Sequence, residues 1–340
     1  MQGSPQSITD PSAARPAPST LGLMPLDQGD APQRDRSQPI RVVYIAGDGR
    51  SGSTLLDRLI GAYPGVFSCG ELNNLLISTT ASDQLCACGA RARDCSFWAS
   101  VLRRWSEAVP DFTEREYRGL QRRYERLRSL LRPFHERELT LEDPRFARYA
   151  EYTLALFKAI AELSGAAVIV DSSKSPARAL ALSRIPGLQL NMLHLVRDFR
   201  GVAYSLRKLC HAHAHDHPEL HRHNNFRFAG TWAVVNYCCE RVKPKIAGPN
   251  LFSRYEDYTR DPDSMLTAVA DLIGRERIAY SPGASYLTTQ GHQVAGNDAR
   301  MRPVQRIATD ETWRSQFSFA MQKGLYLLVL PMMLRYRYRP

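Results

Sequence analysis

The sequence predicts an α/β protein, a single domain in which a central parallel sheet is flanked by helices in a three-layer, P-loop-like fold. Short runs of β-branched and aromatic residues alternate with segments of helical periodicity, as in parallel sheets with crossover helices. A glycine-rich loop follows the first of these runs. With 340 residues, 44% of them hydrophobic, the chain can bury one large core.

The chain divides by composition into a leader and a folded domain. Residues 1–39 are rich in Pro, Ser, Gln, Asp and Ala and hold few apolar residues, which predicts a disordered leader before a domain over 40–340. The formal net charge is +11, and residues 1–40 hold three Arg against four Asp, so the positive charge belongs to the domain. Such a surface suits an anionic ligand, a nucleic acid or another polyanion.

Neither a signal peptide nor a membrane span is predicted. The longest apolar candidate, residues 325–334, is short and interrupted by Pro331. Seven cysteines, an odd number in a chain without an export signal, favour reduced thiols over disulfides. We therefore expect a cytoplasmic protein.

Four apolar runs predict the strands, at residues 42–46, 166–170, 190–196 and 251–252. Between the first two lies an arginine-rich helical insert, residues 80–148. Within it, Glu114 and Arg118 form a favourable i,i+4 pair, and one helical face is predicted to consist of Tyr117, Leu120, Tyr124, Leu127 and Leu131. The insert is predicted to be a solvated helical layer over the sheet edge, with an acceptor-binding face as the alternative.

The loop after the first strand has the outline of a phosphate-binding loop, and its candidate ligand residues are Gly49, Arg50, Ser51, Gly52, Ser53, Thr54 and Leu55. Nucleoside triphosphatases carry a lysine where this chain has Ser53. Arg50 supplies a charge earlier in the loop, which suits a terminal group of lower charge than a γ-phosphate, such as a sulfuryl group on a 5′-phosphate. The loop alone leaves a tight structural turn or a kinase-like NTPase open.

A second anchor follows the strand that ends at Val196. Arg197 stands directly after that strand, at the edge where open α/β sheets bind ligands, and Ser205 lies about two helical turns later. The pair could hold a second phosphate. The alternative is a surface pair between Arg197 and Asp198 with a helix-facing serine.

Together, the two segments resemble the sulfotransferases that use 3′-phosphoadenosine 5′-phosphosulfate (PAPS), closest to the carbohydrate and tyrosyl-protein branch and its bacterial relatives. In that family a loop like Arg50-Ser-Gly-Ser-Thr-Leu55 binds the 5′-phosphosulfate, and an Arg with a Ser eight residues later, here Arg197 and Ser205, binds the 3′-phosphate. Further similar segments bring the resemblance to roughly residues 41–320, namely residues 170–174, 254–257 and 296–302 with Trp313.

The resemblance also implies catalytic residues. Glu71, in a Gly-Glu segment, corresponds to the proposed base, and Leu72 stands where some relatives carry a second Glu. Lys174 corresponds to the lysine near the leaving group, with Ser173 as its helper. From the residues alone, Glu71 could be a capping or ion-paired carboxylate and Lys174 an exposed lysine, while Asp171 could be a competing base or could orient Lys174.

Three further residues complete the implied donor site. Tyr255 either stacks on adenine or belongs to the core, and Arg300 or Arg302 completes the 3′-phosphate clamp. The implied co-substrate is PAPS, and the implied acceptor is a hydroxyl of a carbohydrate, a lipid-linked or another small molecule, with no nucleic acid as partner. The alternatives are a nucleotide kinase or NTPase and a non-catalytic polyanion-binding protein.

Two clusters raise the question of metal, which the predicted chemistry does not need. Histidines crowd residues 211–223, where Pro218 disfavours a helical site, so a polar lid over the acceptor is the preferred interpretation. Cys69, Cys86, Cys88 and Cys95 lack the usual two-residue spacing of paired zinc cysteines. A loop of reduced thiols is preferred over a structural zinc site.

Overall fold

The computed structural model describes residues 38–132, 135–212, 225–283, 291–302 and 306–340, without the side chains of residues 211 and 212. Almost all of the predicted leader and most of the histidine-rich segment lie outside the described residues. Within the described residues, no helix is long and apolar enough to cross a bilayer.

A parallel sheet forms the centre of the fold. In the described residues it has five strands in the order β2-β3-β1-β4-β5, and every pair is parallel. The strands are β1 (Ile40–Gly47), β2 (Val66–Ser68), β3 (Val168–Lys174), β4 (Leu188–Val196) and β5 (Asn250–Arg254). The prediction of an α/β fold with a parallel sheet is confirmed. The four predicted strands are present: three have longer bounds, and β3 begins two residues later than predicted and ends at Lys174.

Helices cover both faces of this sheet, as the alternation of the β1 side chains shows. Val42 and Tyr44 point into one buried cluster, whereas Val43 and Ile45 point into another. The helices are α1 (Ser53–Ile60), α2 (Ser96–Ala108), α3 (Glu114–Tyr124), α4 (Pro144–Ser164), α5 (Pro176–Leu182), α6 (Phe199–Ala212), α7 (Asn225–Val242), α8 (Tyr255–Arg260), α9 (Pro262–Ile273), α10 (Trp313–Gln316), α11 (Phe319–Leu328) and α12 (Leu330–Arg335). The first cluster takes side chains from α2, α4, α5 and α7, and the second from α1 and α9.

The predicted insert is helical but shorter in its central helix than expected. Helix α3 begins after Thr113, whose side chain accepts a hydrogen bond from the Glu116 amide, and Arg118 pairs with Glu114 at 3.1 Å as predicted. The helix ends at Tyr124, and a separate 3₁₀ turn, Leu127–Leu131, follows it. The prediction that Leu131 shares the buried face is wrong, since Leu131 is 74% exposed.

The carboxyl ends of β3, β1 and β4 bring three chain segments together. Ala46 in β1 pairs with Lys174 at the end of β3, and Gly47 pairs with Leu195 near the end of β4. The glycine loop therefore begins between Lys174 on one side and the segment entering Arg197 on the other. This edge of the sheet is where open α/β folds bind their ligands.

Candidate active site

The glycine loop joins β1 to α1 in a strained conformation. Gly52 has a φ of 91° and Arg50 a φ of 64°, so a non-glycine residue in the loop also adopts the left-handed region. The Gly52 carbonyl accepts hydrogen bonds from the Leu56 amide at 3.2 Å and from the Tyr258 hydroxyl at 2.9 Å. The start of α1 is therefore held at a set position at the edge of the sheet.

The loop offers donors that are not used within the protein. The Ser51 hydroxyl is buried and has no hydrogen-bond partner, although a buried polar atom normally has one. A methyl group added at Gly49 would meet nothing within 4 Å, so the space beside the loop is open there. Ser53 is buried, while Thr54 and Leu55 are half-buried. An oxygen-rich anion in the open space would give the Ser51 hydroxyl an acceptor.

Gly52 and Gly49 provide a matched test of the loop geometry. We expect Gly52→Ala to lower the free energy of unfolding by about 1–3 kcal/mol or more, because it forces a side chain into positive φ. Its Cβ would also lie 2.4 Å from a Tyr255 ring carbon. Gly49→Ala should change stability much less. Urea unfolding of both variants measures the difference, and equal stabilities would contradict the packed loop.

Arg50, Arg197 and Ser205 converge on the same side of the loop. The Arg50 Nε donates to the Ser205 hydroxyl at 2.9 Å, and an Arg197 terminal nitrogen donates to the Arg50 carbonyl at 3.2 Å. Burial and then the neighbouring charge of Arg197 lower the pKa of Arg50. Two guanidinium groups that lie this close together and are largely shielded from solvent favour the binding of an anion between or beside them.

The acidic partner of Arg197 is Asp310. An Arg197 nitrogen contacts the Asp310 carboxylate at 3.2 Å and its backbone carbonyl at 2.9 Å. The neighbouring Asp198 instead pairs with Arg200 at 2.7 Å. The alternative of a local surface pair between Arg197 and Asp198 is therefore wrong, and Arg197 is only 6% exposed.

Tyr255 packs against both Arg197 and the glycine loop. The Arg197 guanidinium lies 4.3 Å from the centre of the Tyr255 ring, and the Tyr255 hydroxyl accepts a hydrogen bond from the Asp310 amide at 3.0 Å. The ring also lies against Gly52. Of the two interpretations of Tyr255, the structure supports a packed residue that positions Arg197 and the loop.

Glu71 and Lys174 form an ion pair on the opposite side of the loop. The second Glu71 carboxylate oxygen accepts from the Asn74 side-chain amide at 3.1 Å, and the Glu71 backbone amide donates to the Val294 carbonyl at 2.9 Å. Both charged side chains are about a fifth exposed. Lys174 is the last residue of β3, four residues past the end of the predicted strand at residue 170, and it has a φ of 70°.

Ser173 and Asp171 are occupied by neighbouring groups. Asp171 is fully buried, pairs with Arg178 at 2.9 Å and accepts from both the amide and the hydroxyl of Ser173. The Ser173 hydroxyl also accepts from the Asn73 amide at 3.0 Å. Asp171 is therefore enclosed and is no competing base, and Ser173 ties β3 to the turn after Glu71.

The two C-terminal arginines are placed differently from each other. Arg300 is buried and donates to the Leu85 carbonyl at 2.7 Å and the Gly296 carbonyl at 3.1 Å, on the Glu71 side of the loop. Burial lowers its pKa. Arg302 is exposed, and its carbonyl accepts from Arg58 at 2.5 Å. Residues 303–305, which follow it, lie outside the described residues.

Two features of the site were not assigned from the sequence. Asp48, within the glycine loop, is half-buried, and burial raises its pKa to about 6. The sequence signal for Asp48 is a carboxylate inside a loop that is otherwise rich in glycines and hydroxyl side chains. Separately, three cysteines of the insert meet His292, and Cys69 lies outside their group. The lone His292 carried no sequence signal.

Comparisons with known proteins bear on the fold. No family model matches the chain, and no curated protein sequence matches it. Among solved structures, the chain is similar to the sulfotransferase domain of the olefin synthase from Synechococcus PCC 7002, with 20% identity, a TM-score of 0.50, and coverage of 91% of this chain and 98% of that one. This likeness shows that the chain has a sulfotransferase-like fold, as the resemblance implied.

Two further structures match at lower TM-scores. The sulfotransferase domain from the curacin biosynthetic pathway has 16% identity and a TM-score of 0.47, covering 89% of this chain and 99% of that one. Sulfotransferase STF9 from Mycobacterium avium has 13% identity and a TM-score of 0.46, covering 92% of this chain and 79% of that one.

Proposed function

We propose that this protein is a PAPS-dependent sulfotransferase that transfers a sulfuryl group to a hydroxyl of an acceptor. The observation that carries the proposal is the convergence of Arg50, Arg197 and Ser205, which come from two distant segments of the chain and meet at one edge of the sheet. These segments correspond to the two donor-binding motifs of the sulfotransferases they resemble. The sulfotransferase-like fold is consistent with this function.

The loop and its surroundings fit the donor. The unpartnered Ser51 hydroxyl, the open space at Gly49 and the hydroxyls of Ser53 and Thr54 suit the 5′-phosphosulfate. Leu55 would shape the mouth of the loop, and Arg197 with Ser205 would hold the 3′-phosphate. In the proposal Tyr255 acts by positioning Arg197, and Arg302, which is exposed, is better placed than the buried Arg300 to reach a phosphate.

The ion pair between Glu71 and Lys174 suggests how the two residues work together. PAPS supplies the sulfuryl group, and its phosphate end leaves as adenosine 3′,5′-bisphosphate. The Glu71 carboxylate accepts the proton of the acceptor hydroxyl. Once Glu71 is neutral, the Lys174 ammonium loses its counter-charge and can neutralise the charge that develops on the leaving oxygen. Ser173 maintains the backbone that carries both groups.

A kinase or NTPase is less well supported. Such an enzyme needs an acidic side chain to help hold Mg²⁺ near the loop, and Asp171, on the strand next to β1, is the nearest match to that position. Asp171 is fully buried and already paired with Arg178. A non-catalytic polyanion-binding protein would not require the paired Glu71 and Lys174.

The proposal extends to the acceptor and the compartment. We propose a hydroxyl of a carbohydrate, lipid-linked or small molecule, and not a nucleic acid, reached across the arginine-rich insert. All seven cysteines are described and none is disulfide-bonded, which favours the reducing cytoplasm.

Calorimetric titration with adenosine 3′,5′-bisphosphate and with ATP, each with and without Mg²⁺, tests the proposal. We expect Mg²⁺-independent binding of the bisphosphate that is tighter than that of ATP. A Mg²⁺-dependent preference for ATP would favour the kinase. Tight, steeply salt-dependent binding of a polyanion such as heparin without binding of the bisphosphate would favour the binding protein.

The Asp48 carboxylate predicts a pH dependence of donor binding. Its raised pKa, about 6, means that Asp48 is ionised above pH 6 and repels an anion in the loop, and is protonated below it. We expect Asp48→Asn to bind the bisphosphate about fivefold to tenfold more tightly than the wild type above pH 7, with the difference lost below pH 5. Because the ligand phosphates titrate in both proteins, the ratio of the two dissociation constants isolates Asp48. A ratio that is constant with pH would contradict the assignment.

A further inference from the structure

We propose that Cys86, Cys88, Cys95 and His292 bind one structural zinc ion. These four residues, here called the zinc cluster, offer three sulfur atoms and one imidazole nitrogen that all lie within 4.8 Å of one another. Three come from one short segment of the insert, and His292 comes from a segment about 200 residues later. A Cys₃His set is one of the usual ligand sets of structural zinc.

The distances between the ligand atoms match the edges of a small tetrahedron. With a zinc–sulfur bond of about 2.3 Å, two sulfur ligands of a tetrahedral ion lie about 3.8 Å apart. The Cys88 and Cys95 sulfurs are 3.8 Å apart, and the His292 Nδ1 lies 3.9 Å from the Cys86 sulfur and 3.3 Å from the Cys95 sulfur. Small adjustments of side chains would bring all four atoms to a common centre.

The backbone already holds the cysteines in the required arrangement. The Cys86 amide donates to the Ala90 carbonyl at 2.8 Å, and the Gly89 amide donates to the Cys86 carbonyl at 2.9 Å. Gly89 has a φ of 89°, which lets this turn reverse directly after Cys88. Cys95 occupies the N-cap of α2, where the helix dipole favours a thiolate.

His292 is held against the cluster by its own neighbours. The Trp98 indole donates to the His292 carbonyl at 2.6 Å, and the Phe97 ring stacks on the imidazole with centres 4.9 Å apart. The Ala87 amide donates to the Gln293 carbonyl at 3.0 Å. These contacts hold the imidazole next to the three thiols.

The chemistry of the ligands favours zinc and a structural role. Thiolates are soft ligands and imidazole is a borderline one, and both suit Zn²⁺, whereas hard cations such as Mg²⁺ prefer oxygen. Four protein ligands fill the coordination shell, so no position remains for substrate or water. Cys69, Cys238 and Cys239 lie outside the cluster, so a cysteine such as Cys238 can be substituted as a control for zinc binding.

The zinc cluster joins the insert to the segment that supports Glu71. Beyond His292, the Val294 amide donates to the Cys69 carbonyl at 2.9 Å and the Val294 carbonyl accepts from the Glu71 amide at 2.9 Å. Zinc would therefore keep this segment in place beside the Glu71 side chain. That zinc supports sulfuryl transfer through Glu71 rests on the proposed function, whereas the presence of the ion does not.

Metal analysis of the purified full-length chain, prepared without an affinity tag that binds metal, tests the site. We expect one equivalent of zinc per chain, lost to background in Cys95→Ser and His292→Gln and retained in the control Cys238→Ser. X-ray absorption of the wild type should show three sulfur neighbours at about 2.3 Å and one nitrogen at about 2.0 Å. This measurement on the wild type stays decisive even if a variant fails to fold.

Several results would overturn the inference. A wild type without zinc after purification from zinc-supplemented cells would do so, as would zinc bound through oxygen ligands, iron in place of zinc, or a Cys88–Cys95 disulfide found by mass spectrometry. Titration of the bisphosphate, whose proposed ligands lie in the glycine loop and near Arg197, separates the two proposals. Zinc without bisphosphate binding would refute the proposed function only, and bisphosphate binding without zinc would refute the zinc cluster only.

Discussion

Arg197→Ala should weaken binding of adenosine 3′,5′-bisphosphate by about tenfold to a hundredfold. Hydrogen bonds to a charged group contribute about 1.5–3 kcal/mol, and the variant removes a forked donor from the proposed 3′-phosphate site. Calorimetry measures the change. Arg197→Lys, which keeps the charge but not the fork, should bind with intermediate affinity.

The controls separate loss of a ligand contact from loss of structure. Arg197 also contacts Asp310 and Tyr255, so the unfolding transition of each variant has to be compared with that of the wild type. Arg103→Ala removes an exposed arginine on α2 and should bind the bisphosphate as the wild type does. Wild-type affinity in a folded Arg197→Ala protein would remove Arg197 from the donor site.

Glu71→Gln should keep donor binding and lose transfer. The amide has the same shape as the carboxylate but cannot accept the acceptor proton, and a general base typically contributes about 10²–10⁴-fold to the rate. We expect kcat to fall within that range while the dissociation constant of the bisphosphate changes by less than about threefold. Calorimetry measures the dissociation constant, whereas measuring kcat requires an acceptor, which a screen of hydroxyl compounds with the wild type would supply.

A second carboxylate variant completes this experiment. Glu107→Gln neutralises an exposed glutamate on α2 that makes a surface pair with Arg104, and it should leave kcat unchanged. The hydrogen bond from Asn74 can persist in Glu71→Gln, because an amide oxygen also accepts. Full turnover in Glu71→Gln would show that another group takes the proton.

Much of the fold could be predicted from local pattern. The runs that became β1 and β3 are continuously apolar, and that of β4 is apolar except for Asn191 and His194, because both faces of a central parallel strand are buried. The strand β2 was missed, since Val66–Ser68 has three residues and carries no period. The end of α3 at Tyr124 was missed for a different reason: the apolar spacing continues to Leu131 although the helix does not.

The candidate site was predictable only where a motif carries it. The glycine loop, Arg197 and Ser205 were placed by their positions after strands, and the structure brings them together. The partner of Arg197 could not be predicted in this way. Asp310 lies 113 residues away in the chain, and Asp198 was adjacent but is engaged by Arg200.

By itself the sequence determined the parallel sheet and a glycine loop that carries Ser53 in place of the lysine and Arg50 earlier in the loop. It also determined which residue types are present to bind an anion. These features are local, because strand burial and loop conformation depend on neighbouring residues. Only the tertiary structure decided that Asp171 is enclosed, that Glu71 pairs with Lys174, and that His292 joins three cysteines. Each of these contacts joins single side chains from distant segments, and such a contact, unlike the burial of a whole face, leaves no period or spacing in the chain.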